Sequence, residues 1–392
     1  MLDVRSEPSV MVVVGTRPEA IKLAPVVLRL REVVGLSIRL VSTGQHRELL
    51  AQALGEFGLT PEIDLDLMEP EQTLAGLTAR ALTALDRTIE REQPTLVLAQ
   101  GDTTTVFVAA LAAFYRRVPF GHVEAGLRTG QADRPFPEEK NRVLAGHLAT
   151  VHFAPTAQAR DNLLREAIDP ESIHLTGNTG IDALRWVSQS IAASESPRLD
   201  PEARTILVTA HRRENLGAPL DAICAAVLDL IAEFPGLRVV FPIHPNPAVR
   251  SMVAARLGRT PRIELVEPVG YRAFVATMRS SFLILTDSGG VQEEGPSLGV
   301  PVLVLRDETE RPEAVRAGTV RLVGPHRAAI VREVRYLWYD PTAYRVASTT
   351  VNPYGDGFAA ERIVRVIAAR CGLTPPAPPV GFDPKWPRPA VK

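Results

Sequence analysis

Short apolar, β-branched runs alternate along this chain with segments whose apolar residues recur at helical spacing. That is the pattern of buried parallel strands joined by covering helices. Strands are predicted at 10–14, 38–41, 96–99, 119–123, 151–153 and 173–175. After a polar, Pro-containing stretch, SESPRLDP at 194–201, a second series is predicted at 206–209, 238–241, 263–265, 283–285, 302–305 and 320–323. The fold class expected is α/β: two Rossmann-like doubly wound domains, 1–179 and 180–357, with a cleft between them. NPYGDG at 352–357 reads as a turn before an amphipathic helix at 358–370, and the Pro-rich tail, 371–392, is predicted to be extended or poorly ordered.

The polar residues are placed as tellingly as the apolar ones. Nearly every predicted strand empties into a polar motif: GTRPEA, TGQHRE, QGDTT and HVEAGLR in the first half, then AHRREN, IHPNP, EPVGY, DSGG and RDETERPE. Open α/β sheets bind ligands outside the carboxyl ends of their strands. Two halves furnished at that edge predict one ligand held by both.

The most informative motif is LILTDSGGVQEE at 283–294. A buried strand runs into Ser288-Gly289-Gly290 at a helix start, where free N–H groups and the helix dipole favour an anion such as a diphosphate. Glu294, one turn on, has the placing of a carboxylate that accepts ribose hydroxyls. In GTRPEAIK, Gly15 is expected to allow a tight turn, and Arg17 and Lys22 to reach phosphate. Neither the dinucleotide fingerprint nor a Walker loop is present, which removes support for NAD and for phosphoryl transfer from ATP. Asp102 and Glu124 follow successive strands, Glu138 comes further on in RPFPEEKNR, and the three are expected to share one site, since neighbouring carboxylates push pKa values apart and so equip a site for proton transfer. The competing reading is ion pairing with Arg128, Arg134 and Arg142. His211 sits at the end of the strand at 206–209, suited to protonating or holding a leaving phosphate. His244 is as well explained as a structural residue, and Phe274 as a base platform or a core side chain. Arg311 is a further candidate for charge on the diphosphate or sugar.

Composition narrows the field. A length of 392 residues predicts two domains, and 45% hydrophobic with 23% charged residues is ordinary for a soluble protein. A net charge of −1 gives no electrostatic case for nucleic acid or membrane binding. The two cysteines have no metal-type spacing, and no HExxH or CxxC motif occurs, so no metal or other cofactor is expected. With no signal-like or membrane-length apolar run, the expected location is cytoplasmic. Lysine occurs only at Lys22, Lys140, Lys385 and Lys392, against ten times as many arginines, which singles out Lys22.

GTRPEAIKLAP, TGQHRELL, QGDTTTV, HVEAGLRTG, PFPEEKNR, TGNTGIDAL, TAHRRENLG, PIHPNP, LTDSGGVQEE, RPEAVRAGTVRLVG and NPYGDG, in that order, make the chain resemble the non-hydrolysing UDP-N-acetylglucosamine 2-epimerase family. The resemblance implies a glycosyltransferase-B-like pair of domains, the C-terminal helix completing the first, and usually a homodimer. It implies reversible conversion of UDP-N-acetylglucosamine to UDP-N-acetylmannosamine. Diphosphate and uridine contacts would fall on Arg17, Lys22, His211, Phe274, Ser288, Gly289, Gly290, Glu294 and Arg311, with the Val269 backbone reading uracil. The acid–base carboxylates would be Asp102, Glu124 and Glu138. Members activated by a second substrate molecule carry a Gln and an Arg where this chain has Glu48 and Glu71, so such activation is expected to be lost although Gln45, Arg212 and His244 are kept.

Carbon 2 of the sugar has no adjacent carbonyl, so a carboxylate cannot deprotonate it directly. Departure of UDP first makes that proton acidic, which predicts elimination to a 2-acetamidoglucal and re-addition to the other face. The alternatives are a UDP-sugar-dependent glycosyltransferase, a hydrolysing epimerase releasing N-acetylmannosamine and UDP, and a catalytically silent nucleotide-sugar sensor.

Overall fold

The computed structural model describes residues 7–44, 47–69, 72–133, 135–191, 204–244 and 246–383. Gln45, Glu71, Arg134 and the expected linker at 194–201 lie outside the described residues. The chain divides into two compact units, one formed by 1–183 with 355–392 and the other by 184–354.

The first unit is built on seven parallel strands: β1 (Ser9–Val14), β2 (Ser37–Ser42), β3 (Ile63–Asp64), β4 (Leu96–Gln100), β5 (Phe120–Val123), β6 (Val151–Ala154) and β7 (Ile173–Leu175). Their order is β3-β2-β1-β4-β5-β6-β7. The second unit has six: β8 (Arg204–Thr209), β9 (Leu237–Pro242), β10 (Ile263–Val266), β11 (Leu283–Thr286), β12 (Val302–Val304) and β13 (Val320–Leu322), ordered β10-β9-β8-β11-β12-β13. Both orders place the first strand of each sheet centrally, with the chain winding one way and then reversing. Two α/β domains of the Rossmann type follow, as the alternation predicts. The two-residue edge strand β3 escaped the sequence reading, being too short to carry a period of two.

Burial explains which runs became strands. Val10, Met11, Val12, Val13 and Val14 are all fully buried, because β1 has strands on both sides and helices on both faces. Each such side chain contributes roughly 1.5–3 kcal/mol of transfer free energy. The helix Thr104–Tyr115 is rich in alanine along its buried face, which lets it lie close to the sheet.

The C-terminal helix, Ala359–Arg370, packs on the helix Arg17–Leu30 of the first unit. Buried Glu361 accepts from Arg29 Nε at 3.2 Å and from Arg365 Nε at 2.7 Å. Asp182 accepts from the first-turn amides of Ala359 (3.1 Å) and Ala360 (2.8 Å), a carboxylate at the positive end of a helix. The described part of the tail, to residue 383, has no helix or strand and returns to this helix. Phe382 meets Phe358 edge-on at 5.9 Å between ring centroids, and Arg29 donates to the Ala377 carbonyl at 3.0 Å.

Candidate functional site

In each sheet the switch point lies beside the first strand, between β1 and β4 and between β8 and β11. There the loops leaving neighbouring strands part and expose backbone and side chains.

At the first switch point Gly15 ends β1. It is not in a left-handed conformation. A Cβ here would lie 2.4 Å from Thr105 Oγ1 and 2.7 Å from Thr43 Oγ1. Beyond the short connection from β1 to its helix, the close approach of Thr43 and of Thr105, in the first turn of the helix Thr104–Tyr115, is what requires glycine. Buried Glu19 then ties these loops together. Its Oε2 accepts from the amides of Gly15 (2.6 Å) and Thr16 (3.1 Å), and its Oε1 from the Thr103 hydroxyl at 2.6 Å. Burial, reinforced by the charge of Asp102, overrides these donors and pushes the Glu19 carboxyl up to about 7.

Glu124 follows β5 with a φ of +64°, unusual for a residue with a side chain and often found where structure holds a functional group in place. Lys22 Nζ lies 2.8 Å from both its oxygens, Asn178 Nδ2 donates at 3.1 Å, and the Gln100 amide also donates. Lys22 thus pairs with the Glu124 carboxylate. Asp102 pairs with Arg142, which also lies 3.3 Å from Glu139 Oε2. The ion pairing weighed against catalysis is thus present for Asp102. Arg128 instead pairs with Glu166 at 2.7 Å. Buried Glu139 accepts from the amides of Thr129 (3.1 Å) and Gly130 (3.0 Å), fixing the loop that leads to the helix Glu138–Leu148. Glu138 opens that helix, and its Oε2 is buried with no partner among the described residues. His122 Nε2 lies 2.7 Å from the Gly101 carbonyl. Burial pushes this imidazole down to about 3, so it stays neutral and donates to that carbonyl, steadying the turn before Asp102. Arg17 is exposed at the start of its helix.

The second switch point is of opposite character. Fully buried Asp287 accepts on Oδ2 from the amides of His211 and Arg212 (2.8 Å each) and from Asn215 Nδ2 at 2.9 Å. His211 Nδ1 lies 3.1 Å from Oδ1, a close charge contact without the alignment of a hydrogen bond. Burial opposes ionisation of Asp287, but His211 and these donors outweigh it and hold the carboxyl below its usual range. His211 is stacked on His244, ring centroids 5.3 Å apart.

Ser288 caps the helix Gly289–Ser297 without using its hydroxyl on the cap, and Gly289 is buried beside the Glu310 carboxylate and the guanidiniums of Arg311 and Arg212. Arg311 bonds to buried Glu293 through Nε. Glu310 lies 2.5 Å from Arg306 and 3.3 Å from Arg212. Against the cost of burial, the charges of Arg311, Arg306 and Arg212 draw the Glu310 carboxyl down to about 2. Glu294 accepts from the Tyr271 hydroxyl at 3.0 Å. Phe274, one turn beyond Tyr271, is half-buried and outside the core cluster, and Val269 is half-buried in the loop before that helix. Glu48 is exposed in the first turn of the helix Arg47–Gly55.

In the first unit Lys22 thus pairs with Glu124 and Arg142 with Asp102, with Glu138 one helical turn before Arg142, while in the second His211 lies against Asp287 and Ser288, Gly289 and Gly290 open a helix beside Arg311. Sequence reasoning missed the residues that hold these groups: Glu19, Gln100, Asn178, Asp287, Tyr271, Glu293 and Glu310. Only Asp287 carried a signal, as the residue closing an apolar strand before Gly-Gly. Among the described residues no cluster of three His, Cys, Asp or Glu is placed to hold a metal ion, and no helix is long and apolar enough to cross a membrane.

Two Rossmann-type units, with sheets of seven and six parallel strands, define a glycosyltransferase-B-like fold. The UDP-N-acetylglucosamine 2-epimerase family model matches residues 28–368, and the chain belongs to that family. It is similar to the UDP-N-acetylglucosamine 2-epimerase of Escherichia coli strain K12, 48% identical over 91% of this chain and 98% of that one. The crystal structure of UDP-GlcNAc 2-epimerase from Neisseria meningitidis bound to UDP-GlcNAc superposes with a TM-score of 0.87 at 43% identity, covering 92% of this chain and 100% of that one. A glycotransferase of kitacinnamycin, 16% identical over 94% and 99% of the two chains with a TM-score of 0.65, shares the fold.

Proposed function

We propose that this protein is a UDP-N-acetylglucosamine 2-epimerase of the non-hydrolysing kind, interconverting UDP-N-acetylglucosamine and UDP-N-acetylmannosamine. The observation that carries the reading is membership of the epimerase family, supported by the carboxylates Asp102, Glu124 and Glu138 in the first unit and by the Ser288-Gly289-Gly290 helix start in the second. In this reading the second unit holds UDP. The Ser288–Gly290 amides, Arg311 and His211 stabilise the departing diphosphate, Glu294 takes the ribose, Phe274 packs on the base and the Val269 backbone reads uracil. Arg17 adds positive charge from the first unit. Asp102, Glu124 and Glu138 exchange the proton on carbon 2 and steady the cationic sugar, with Lys22 balancing the charge of Glu124.

The sequence of events is loss of UDP to give a 2-acetamidoglucal, then return of UDP with protonation of the opposite face. Carbon 2 passes through a trigonal state, so its hydrogen exchanges with solvent. Incubation with UDP-N-acetylglucosamine in deuterated water, followed by proton NMR, is expected to show both epimers labelled at carbon 2. Free N-acetylmannosamine accumulating with UDP identifies the hydrolysing alternative, and epimers without label defeat the elimination scheme.

A further inference from the structure

Resting on that reading, we propose that Asn141 is a further substrate-contacting residue, its side-chain amide donating to the acetamido carbonyl of the sugar. Asn141 lies in the helix Glu138–Leu148, three residues after Glu138 and one before Arg142. Residues at i, i+3 and i+4 share a helix face. Arg142 pins that face to Asp102 through its ion pair. Asn141 therefore stands on the same face as two of the proposed acid–base carboxylates.

Its side chain is committed to nothing else. Asn141 is 8% exposed, and its Nδ2 is buried with no partner among the described residues. A buried donor without an acceptor bears the full cost of losing its water, so folded proteins seldom retain one without a reason. Helix formation supplies none, because asparagine competes with helical backbone bonds and is a weak helix former. Packing supplies none either, since an apolar residue of similar size would fill the space without the penalty. A ligand acceptor removes the cost.

The identity of that acceptor follows from where the carboxylates act. Groups that exchange the proton on carbon 2 lie close to the other substituent of carbon 2, the acetamido group. Its carbonyl is a strong acceptor that the carboxylates cannot serve while ionised. A neutral amide donor serves it without altering their charge. Glu138 Oε2, also buried and unpartnered, stays available as an acceptor on the same face.

The test compares Asn141→Ala and Asn141→Ser with the natural protein in steady-state epimerisation. It measures KM for UDP-N-acetylglucosamine together with inhibition constants for UDP and for UDP-glucose, which has a hydroxyl in place of the acetamido group. Expected is a KM about three- to tenfold higher in Asn141→Ala, the scale of one neutral hydrogen bond. Both inhibition constants are expected within about twofold of natural, with Asn141→Ser no worse than Asn141→Ala. An unchanged KM overturns the proposal, and so does an equal loss for all three ligands, which marks a purely structural residue. If the natural protein neither turns over UDP-N-acetylglucosamine nor is inhibited by UDP, the functional reading beneath the proposal fails instead.

Discussion

At the fork between β1 and β4 the chain places carboxylates, each held by a neighbouring cation or amide: Glu124 by Lys22 and Asn178, Asp102 by Arg142. At the equivalent fork between β8 and β11 Asp287 is buried and consumed by His211, Arg212 and Asn215, while at the helix end beside it Gly289 faces the guanidiniums of Arg311 and Arg212 together with the Glu310 carboxylate they neutralise. The same strand order therefore carries paired carboxylates at one fork and a glycine helix start with neighbouring arginines at the other, the latter proposed to receive the diphosphate. What differs is the loop residues, not the scaffold, which is the general way such folds acquire chemistry.

That contrast can be broken most severely at Asp102. Asp102→Asn keeps the shape but removes the charge and the proton acceptor. Epimerisation is expected to fall by about 10²–10⁴-fold, the usual scale for losing an acid–base group. UDP binding, measured by calorimetry, is expected to stay nearly unchanged because the nucleotide belongs to the other fork. Equal losses in both would show that the two forks do not divide the work.

Gly290→Asp attacks the second fork alone. An added Cβ at Gly290 meets nothing within 4 Å, and a carboxylate in the first turn favours the helix dipole, so folding is expected to be unharmed. A negative charge where a diphosphate is to sit is expected to weaken UDP binding by at least about tenfold. Unaltered UDP affinity in this variant removes the helix end from the proposed site.

Glu19 sharpens the comparison through pH. Its pKa is raised in the folded chain from an ordinary 4.5 to about 7, chiefly by burial. Between those values the folded state binds more protons than the unfolded state, so stability falls as pH rises from about 4.5 to about 7 and levels off above. The difference amounts to about 3 kcal/mol. Glu19→Gln is expected to flatten this part of the melting temperature profile. A profile as steep as the natural one assigns the slope to other groups. The second fork's Asp287 has the opposite sense, its folded pKa being lowered.

The smallest effect comes from paired glycine substitutions. Gly15→Ala forces a Cβ into the hydroxyls of Thr105 and Thr43 and is expected to cost about 1–3 kcal/mol in chemical denaturation. Gly290→Ala, facing open space, is expected to be neutral or to stabilise by up to about 1 kcal/mol. Similar costs at both positions would mean that the two turns are packed alike.

The sequence by itself determined the two series of strands, the polar motifs at their carboxyl ends and the residue types suited to acid–base and diphosphate chemistry. These are legible because burial on both faces of a parallel sheet forces apolar runs, and because polar residues collect where a strand must stop. Even there it could not show that Thr43 and Thr105 converge on Gly15, since nothing local reveals it. Only the tertiary structure decided which groups pair: Lys22 with Glu124, Arg142 with Asp102, Glu19 across two loops, Asp287 beneath His211. Lys22 and Glu124 stand a hundred residues apart, and hydrogen bonds depend on distances of tenths of an ångström. Periodicity along a chain holds no record of such distances. They arise when parallel strands bring remote loops to one edge and burial makes each charged group find a partner there.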